Sequence, residues 1–159
     1  MKIKYFKFLL FSLLIIFSIT ISCRKEDDYL TDTSVKLCFS SDSITFDTVF
    51  TTIGSTTKLL KVYNNEKKPI LISYIKLAGG KSSNFRINVD GISGTEFQNV
   101  EIKAKDSLWI FVRVTVDPGN QNTPFIITDS IIFNINQNIQ NVKLSAWGQD
   151  AYYHTPNVF

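Results

Sequence analysis

The residues of this chain with the widest chemical reach are few: Cys23 and Cys38, the single histidine His154, and the tryptophans Trp109 and Trp147. A zinc centre needs about four converging nitrogen or sulfur ligands, and a nucleophilic triad needs a histidine between a nucleophile and a carboxylate. His154 has no second histidine and no neighbouring cysteine, so it reads as a tail residue. Asp27, Asp28 and Asp32 form the one local acidic cluster, without the alternating Asp/Asn and closing Glu of a calcium loop. Asp42 and Asp47 flank an apolar strand and read as turn caps. Carboxylates that cleave sugars can meet in space from distant positions, and nothing in this pattern points to such a pair. The expectation is a chain without catalytic residues, metal or cofactor.

Large aromatics offer a different chemistry, because a flat ring can stack on the face of a sugar. Trp109 and Phe111 stand two residues apart in "LWIFVRVTV", with Arg113 and Thr115 on the same side. Ile110, Val112, Val114 and Val116 point the opposite way and must face the core. Trp109 and Phe111 are therefore the candidate ligand-binding pair. The competing expectation, and the favoured one, is that loops cover them, since large aromatics dominate buried area. A contiguous exposed patch would reverse that choice. Cys38, between Leu37 and Phe39, reads as a small hydrophobe in an apolar strand.

Those elements follow a distinctive amino terminus. Lys2, Lys4 and Lys7 precede "FLLFSLLIIFSITI", which is short for a spanning helix of about 20 residues, and the run ends at Ser22-Cys23. This resembles a bacterial lipoprotein signal, with Thr20 where a Leu-like residue is more usual. The resemblance implies cleavage before Cys23 and acylation of its thiol, anchoring the mature chain in a membrane through acyl chains. The alternative is an uncleaved apolar anchor helix from Tyr5 to Ile21, and a Cys23–Cys38 bridge would compete with acylation. After the cysteine, Lys25, Glu26, Asp27 and Asp28 resemble the Lys-then-acidic export signal of some surface lipoproteins of Gram-negative bacteria. That implies an outer-membrane, surface-exposed location, the alternative being a periplasm-facing anchor. Residues 23–33 also read simply as a charged leash. Removing residues 1–22 takes three of the 17 basic residues and leaves 14, against 14 acidic. A neutral domain without a basic stripe does not fit a nucleic-acid partner.

From residue 34 to 148 the pattern is period two or short apolar runs, with no three-turn helical periodicity. "VKLCFS" and "SITFDTVF" read as a broken first strand; "TKLLKVYN", "PILISYIKLA", "FRINV", "NVEIK", "SLWIFVRVTVD", "DSIIFNIN" and "NVKLSAWG" follow. The separators "YNNEKKP", "AGGKSSN", "DGISG" and "DPGNQNTP" are turn chemistry, with Asn64 and Asn65 suited to left-handed conformations. The prediction is an all-β, seven- to nine-stranded immunoglobulin-like antiparallel sandwich. "KLLKVYNNEKKPILISYIKLAGGKSSNFRINV", the Asp-Pro after the long strand, and the closing apolar-x-Gly resemble Hydin-type immunoglobulin-like domains, related in shape to major sperm protein. "GTEFQNVEI" departs from that pattern and reads as an extra edge strand or a flap. Residues 149–159, with Tyr152, Tyr153 and Phe159, read as a tail. The chain is similar to the leading region of larger, often β-helical, surface lipoproteins, which makes the tail the expected start of a further domain.

Two functional classes remain. One is a non-catalytic, lipid-anchored envelope protein whose sandwich is a structural or interaction module. The other is a surface binding lipoprotein for a glycan or partner peptide, using loops or an edge strand.

Overall fold

A computed structural model describes residues 28–50, 54–116 and 125–149. Cys23, Lys25, Glu26, Asp27 and His154, and with them the signal and most of the export motif, lie outside the described residues.

Among the described residues ten strands follow one another: β1 (Cys38–Phe39), β2 (Ser43–Phe50), β3 (Lys58–Tyr63), β4 (Ile70–Leu77), β5 (Phe85–Val89), β6 (Ile92–Gly94), β7 (Glu96–Ile102), β8 (Ser107–Val114), β9 (Phe125–Ile135) and β10 (Asn138–Gln149). They form two five-stranded sheets, in the orders β1-β3-β8-β5-β6 and β2-β10-β9-β4-β7. The fold is an all-β immunoglobulin-like sandwich. Its strand count exceeds the expected seven to nine, and one pairing, β2 with β10, is parallel while the others are antiparallel. The expected broken first strand is two strands in different sheets, because the chain crosses the sandwich between Phe39 and Ser43. "GTEFQNVEI" supplies the last residue of β6 and the whole of β7, the latter an edge strand beside β4.

Alternation builds the core. Ile110, Val112, Val114 and Val116 are buried, matching the inward face read from the pattern, and Leu108 on β8 and Ile131, Phe133 and Ile135 on β9 are buried as well. Two aromatic contacts bridge the sheets: Phe46 to Phe85 at 6.0 Å between ring centroids, and Phe39 to Phe133 at 4.9 Å. In β2 the alternation slips. Ala146 pairs with Phe46 but Trp147 pairs with Thr48, so Asp47 is the extra residue of a bulge, and Val49 rather than Thr48 turns inward. Asp47 therefore interrupts a strand rather than capping a turn. A Cβ at Gly148 would stand 2.7 Å from the Phe125 ring, so any larger residue there displaces that ring.

The ends of the sandwich are tied by side chains that accept or donate to exposed backbone. Asn64 is buried; its Nδ2 donates to the carbonyls of Lys68, Ile102 and Lys103 at 2.9 to 3.1 Å, and its Oδ1 accepts from the Glu66 N–H at 2.8 Å. Asn64 and Asn65 do not adopt the left-handed backbone expected of them; among the described non-glycine residues the positive φ angles fall at Asp90, Asn99, Lys105, Asn136 and Gln137. Asn64 works through its amide instead, joining the β3–β4 arch to the β7–β8 arch. At the other end Asp129 accepts from the N–H of Gly79 at 3.0 Å and from the Ser83 hydroxyl, latching the β4–β5 connection to β9. Residues 28–33 lie along the sandwich: the Leu30 N–H donates to the Pro69 carbonyl at 2.9 Å, and Asn136 Nδ2 donates to the Leu30 and Asp32 carbonyls.

Asn64→Ala strands buried carbonyls and an N–H, and the expected loss is about 2 to 3 kcal/mol of unfolding free energy. Asn64→Asp keeps the shape and removes the donors, so it should cost at least as much. Urea denaturation of both variants checks this; a loss below about 0.5 kcal/mol in each would remove Asn64 as the tie between the arches.

Candidate functional site

The outward face of the β1-β3-β8-β5-β6 sheet collects the candidate residues. β8 runs through its centre, paired to β3 on one side and β5 on the other. Because the side chains of Ile110, Val112 and Val114 occupy the core, Trp109, Phe111 and Arg113 project outward at every second position. Register places Lys61 opposite Trp109 and Leu59 opposite Phe111 on β3. On β5 it places Asn88 opposite Phe111 and Arg86 opposite Arg113. Ser93 of β6 lies opposite Asn88 and accepts from its Nδ2 at 3.1 Å.

Leu59, Trp109 and Phe111 are 41%, 42% and 41% exposed. The expectation that loops cover Trp109 and Phe111 is thus overturned. The physical reason is lateral packing: a ring standing on a sheet buries much of its area against cross-strand neighbours and needs no lid. The Lys61 ammonium lies 4.0 Å from the Trp109 ring centroid, a cation–π contact that also lays an aliphatic stem along the face. Beside Phe111 the surface sinks into a groove of about 450 Å³, lined by Thr57, Arg86, Asn88, Ser93, Phe111 and Arg113 among others.

Cys38 also lies on this side of the sheet, opposite Tyr63, and is exposed. The reading of Cys38 as a buried hydrophobe is corrected. Val35 and Leu37 take the inward positions, so alternation turns the thiol out. Trp147 is exposed on the other sheet, across from Ile126, and is not part of the same surface.

The acidic residues serve local structure. Asp28, the described member of the export motif, forms a surface ion pair with Lys68. Asp32 accepts from the Ser34 N–H at 2.8 Å; that bond and a second from the Ser34 side chain hold its carboxyl below the usual carboxylate value. Among the described residues, no group of three or more His, Cys, Asp or Glu side chains converges as a metal site would require. The chemistry available on the open face is stacking and anion binding.

The sequence pattern carried Trp109, Phe111 and Arg113 to one face but missed Leu59, Lys61, Arg86 and Asn88. The signal for the latter exists only in the register between strands, which a lone chain does not spell out.

No family model matches the sequence, and no curated protein matches it. Solved structures do align. A family 123 glycoside hydrolase from Clostridium perfringens aligns over 73% of this chain and 27% of its own, with 8% identity and a TM-score of 0.49. The E. coli chaperone DraB aligns over 72% of this chain and 55% of its own, with 10% identity and a TM-score of 0.42. The CooA pilin subunit of enterotoxigenic Escherichia coli aligns over 74% of this chain and 100% of its own, with 9% identity and a TM-score of 0.46. The chain therefore spans about a quarter of the hydrolase and just over half of the chaperone.

Arg113→Gln should shift unfolding free energy by less than about 1 kcal/mol, and Trp109→Ala and Phe111→Ala should each cost about 1 kcal/mol, the share of each ring packed on its cross-strand neighbours. Ile110→Ala, one position along the same strand, should cost about 3 kcal/mol. Equal losses at alternate positions in denaturant titrations would mean that β8 has no open face.

Proposed function

We propose that this chain is a non-catalytic, lipid-anchored cell-envelope protein whose immunoglobulin-like sandwich is an interaction module, presenting the face around Trp109 and Phe111 to a partner outside the cell. The observation that carries the reading is the juxtaposition on one rigid sheet of Leu59, Trp109 and Phe111, each about two-fifths exposed, with Lys61, Arg86 and Arg113. Aromatics and arginines are the side chains that most often dominate recognition surfaces. Their position on the middle strands of a sheet fixes the geometry before any partner arrives, which lowers the ordering cost of binding.

Membrane attachment comes from the amino terminus. An apolar run closing on Ser22-Cys23, followed by Lys25, Glu26, Asp27 and Asp28, supports acylation at Cys23 and display on the outer face of an outer membrane. The Hydin-type affinity belongs to the same reading, as a description of the sandwich rather than of its ligand. With the leash from residue 23 leading directly to the sandwich, the module would be held close to the membrane surface.

Two measurements test this. The intact mass of the membrane-extracted protein should correspond to a chain starting at Cys23 plus lipid, the increment should vanish in Cys23→Ala, and protease added to whole cells should remove the sandwich. Hydroxyl-radical footprinting should find Trp109 several-fold more protected in cells than in the purified protein, with Trp147 as the internal reference. An unlipidated, protease-protected chain would remove the anchor; equal labelling of Trp109 in both settings would remove the interaction face.

A further inference from the structure

The open face has two features that a purely apolar docking surface would not need. The first is electrostatic. Arg86 and Arg113 stand directly opposite each other in the β5–β8 register, and like charges so placed are destabilising. Among the described residues no carboxylate pairs with either guanidinium; the ion pair found there joins Lys68 to Asp28. Arg86 Nη1 donates to the backbone carbonyls of Ser83 and Phe85, which holds that guanidinium at the rim of the groove. Asp90 lies at the opposite end, where its N–H donates to the Trp109 carbonyl at 3.2 Å, so positive charge is concentrated at the Phe111–Arg113 end.

The second feature is that β8 is an interior strand. Its backbone is shared with β3 and β5, so no peptide can add to it as a further strand. Whatever binds this face is read by side chains alone. Those side chains are two planar rings and an arginine fork, recurring at every second residue and so about 7 Å apart. Ring faces match the apolar faces of pyranose sugars, and guanidinium forks match carboxylates in bidentate fashion.

We infer that the groove beside Phe111 binds a carboxylate-bearing glycan, a polyuronate being the simplest case. Sugar rings lie against Phe111 and Trp109, and one carboxylate sits between Arg86 and Arg113. Lys61, now over the Trp109 ring, moves aside to meet a neighbouring carboxylate as a sugar takes its place. The inference rests on the interaction-module reading and names its ligand class.

The test is calorimetric titration of the full chain in non-ionic detergent with oligogalacturonate, with its methyl ester as the uncharged match and a glutamate oligopeptide of equal charge. Oligogalacturonate should bind, at least tenfold more tightly than the ester or the peptide, and more weakly as salt rises. Arg113→Gln and Phe111→Ala should each weaken binding at least tenfold while both variants still unfold cooperatively well above the titration temperature. Lys143→Gln, on the other sheet, should leave it unchanged. Equal binding of the ester would overturn the arginine role, and equal binding of the peptide would overturn the glycan class. Absence of binding overturns the inference as well. If Trp109 is nonetheless protected in cells, the interaction module stands with another ligand; if it is not, both fail.

Discussion

Each sheet of this sandwich has a face that must be hidden, and the contact between the two hidden faces is what everything else depends on. Phe46 against Phe85 and Phe39 against Phe133 are ring contacts within it, each joining one sheet to the other. Around them the aliphatic residues of β3, β4, β5, β8, β9 and β10 fill the layer. Once that layer is committed, the opposite side of every strand is committed too, because side chains alternate with period two. The outward position of Trp109, Phe111 and Arg113 is thus a consequence of where Ile110, Val112 and Val114 must go. The candidate site is the reverse side of the core.

This dependence explains what could be read from the chain alone. β5, the inward face of β8 and the sandwich class were legible because apolar alternation is a local signal. The bulge at Asp47 was not, since only the pairing of β2 with β10 reveals a residue without an opposite number. Cys38 was misread for a related reason: its neighbours are apolar, and composition concealed that Val35 and Leu37 set the phase. Asn64 was correctly placed at a turn but for the wrong physics. Its backbone is ordinary, and its buried amide, bonded across nearly 40 residues to Ile102 and Lys103, does the joining.

The open face illustrates the same limit for function. Basic and acidic residues cancel over the body of the chain, which argues against a nucleic-acid partner. Cancellation in a sum does not imply mixing on a surface. Register brings Arg86 beside Arg113 and Lys61 beside Trp109, whereas carboxylates such as Asp32 and Asp129 are engaged in turns and latches. Local segregation of charge is a property of strand order, and strand order is not written in any one segment.

The parallel pairing of β2 with β10 sets the timetable of folding. Ser43 meets Lys143, and the Ser145 hydroxyl donates to Thr45 Oγ1 at 3.0 Å, across 100 residues of chain. β2 has β10 as its neighbour in the sheet, so it waits as an unpaired strand until nearly the whole domain has been made. Contacts of such separation slow folding and leave a bare edge open to wrong partners in the interval. A chain built this way completes its second sheet late, because the first strand of that sheet finds its partner only when the last one has been made.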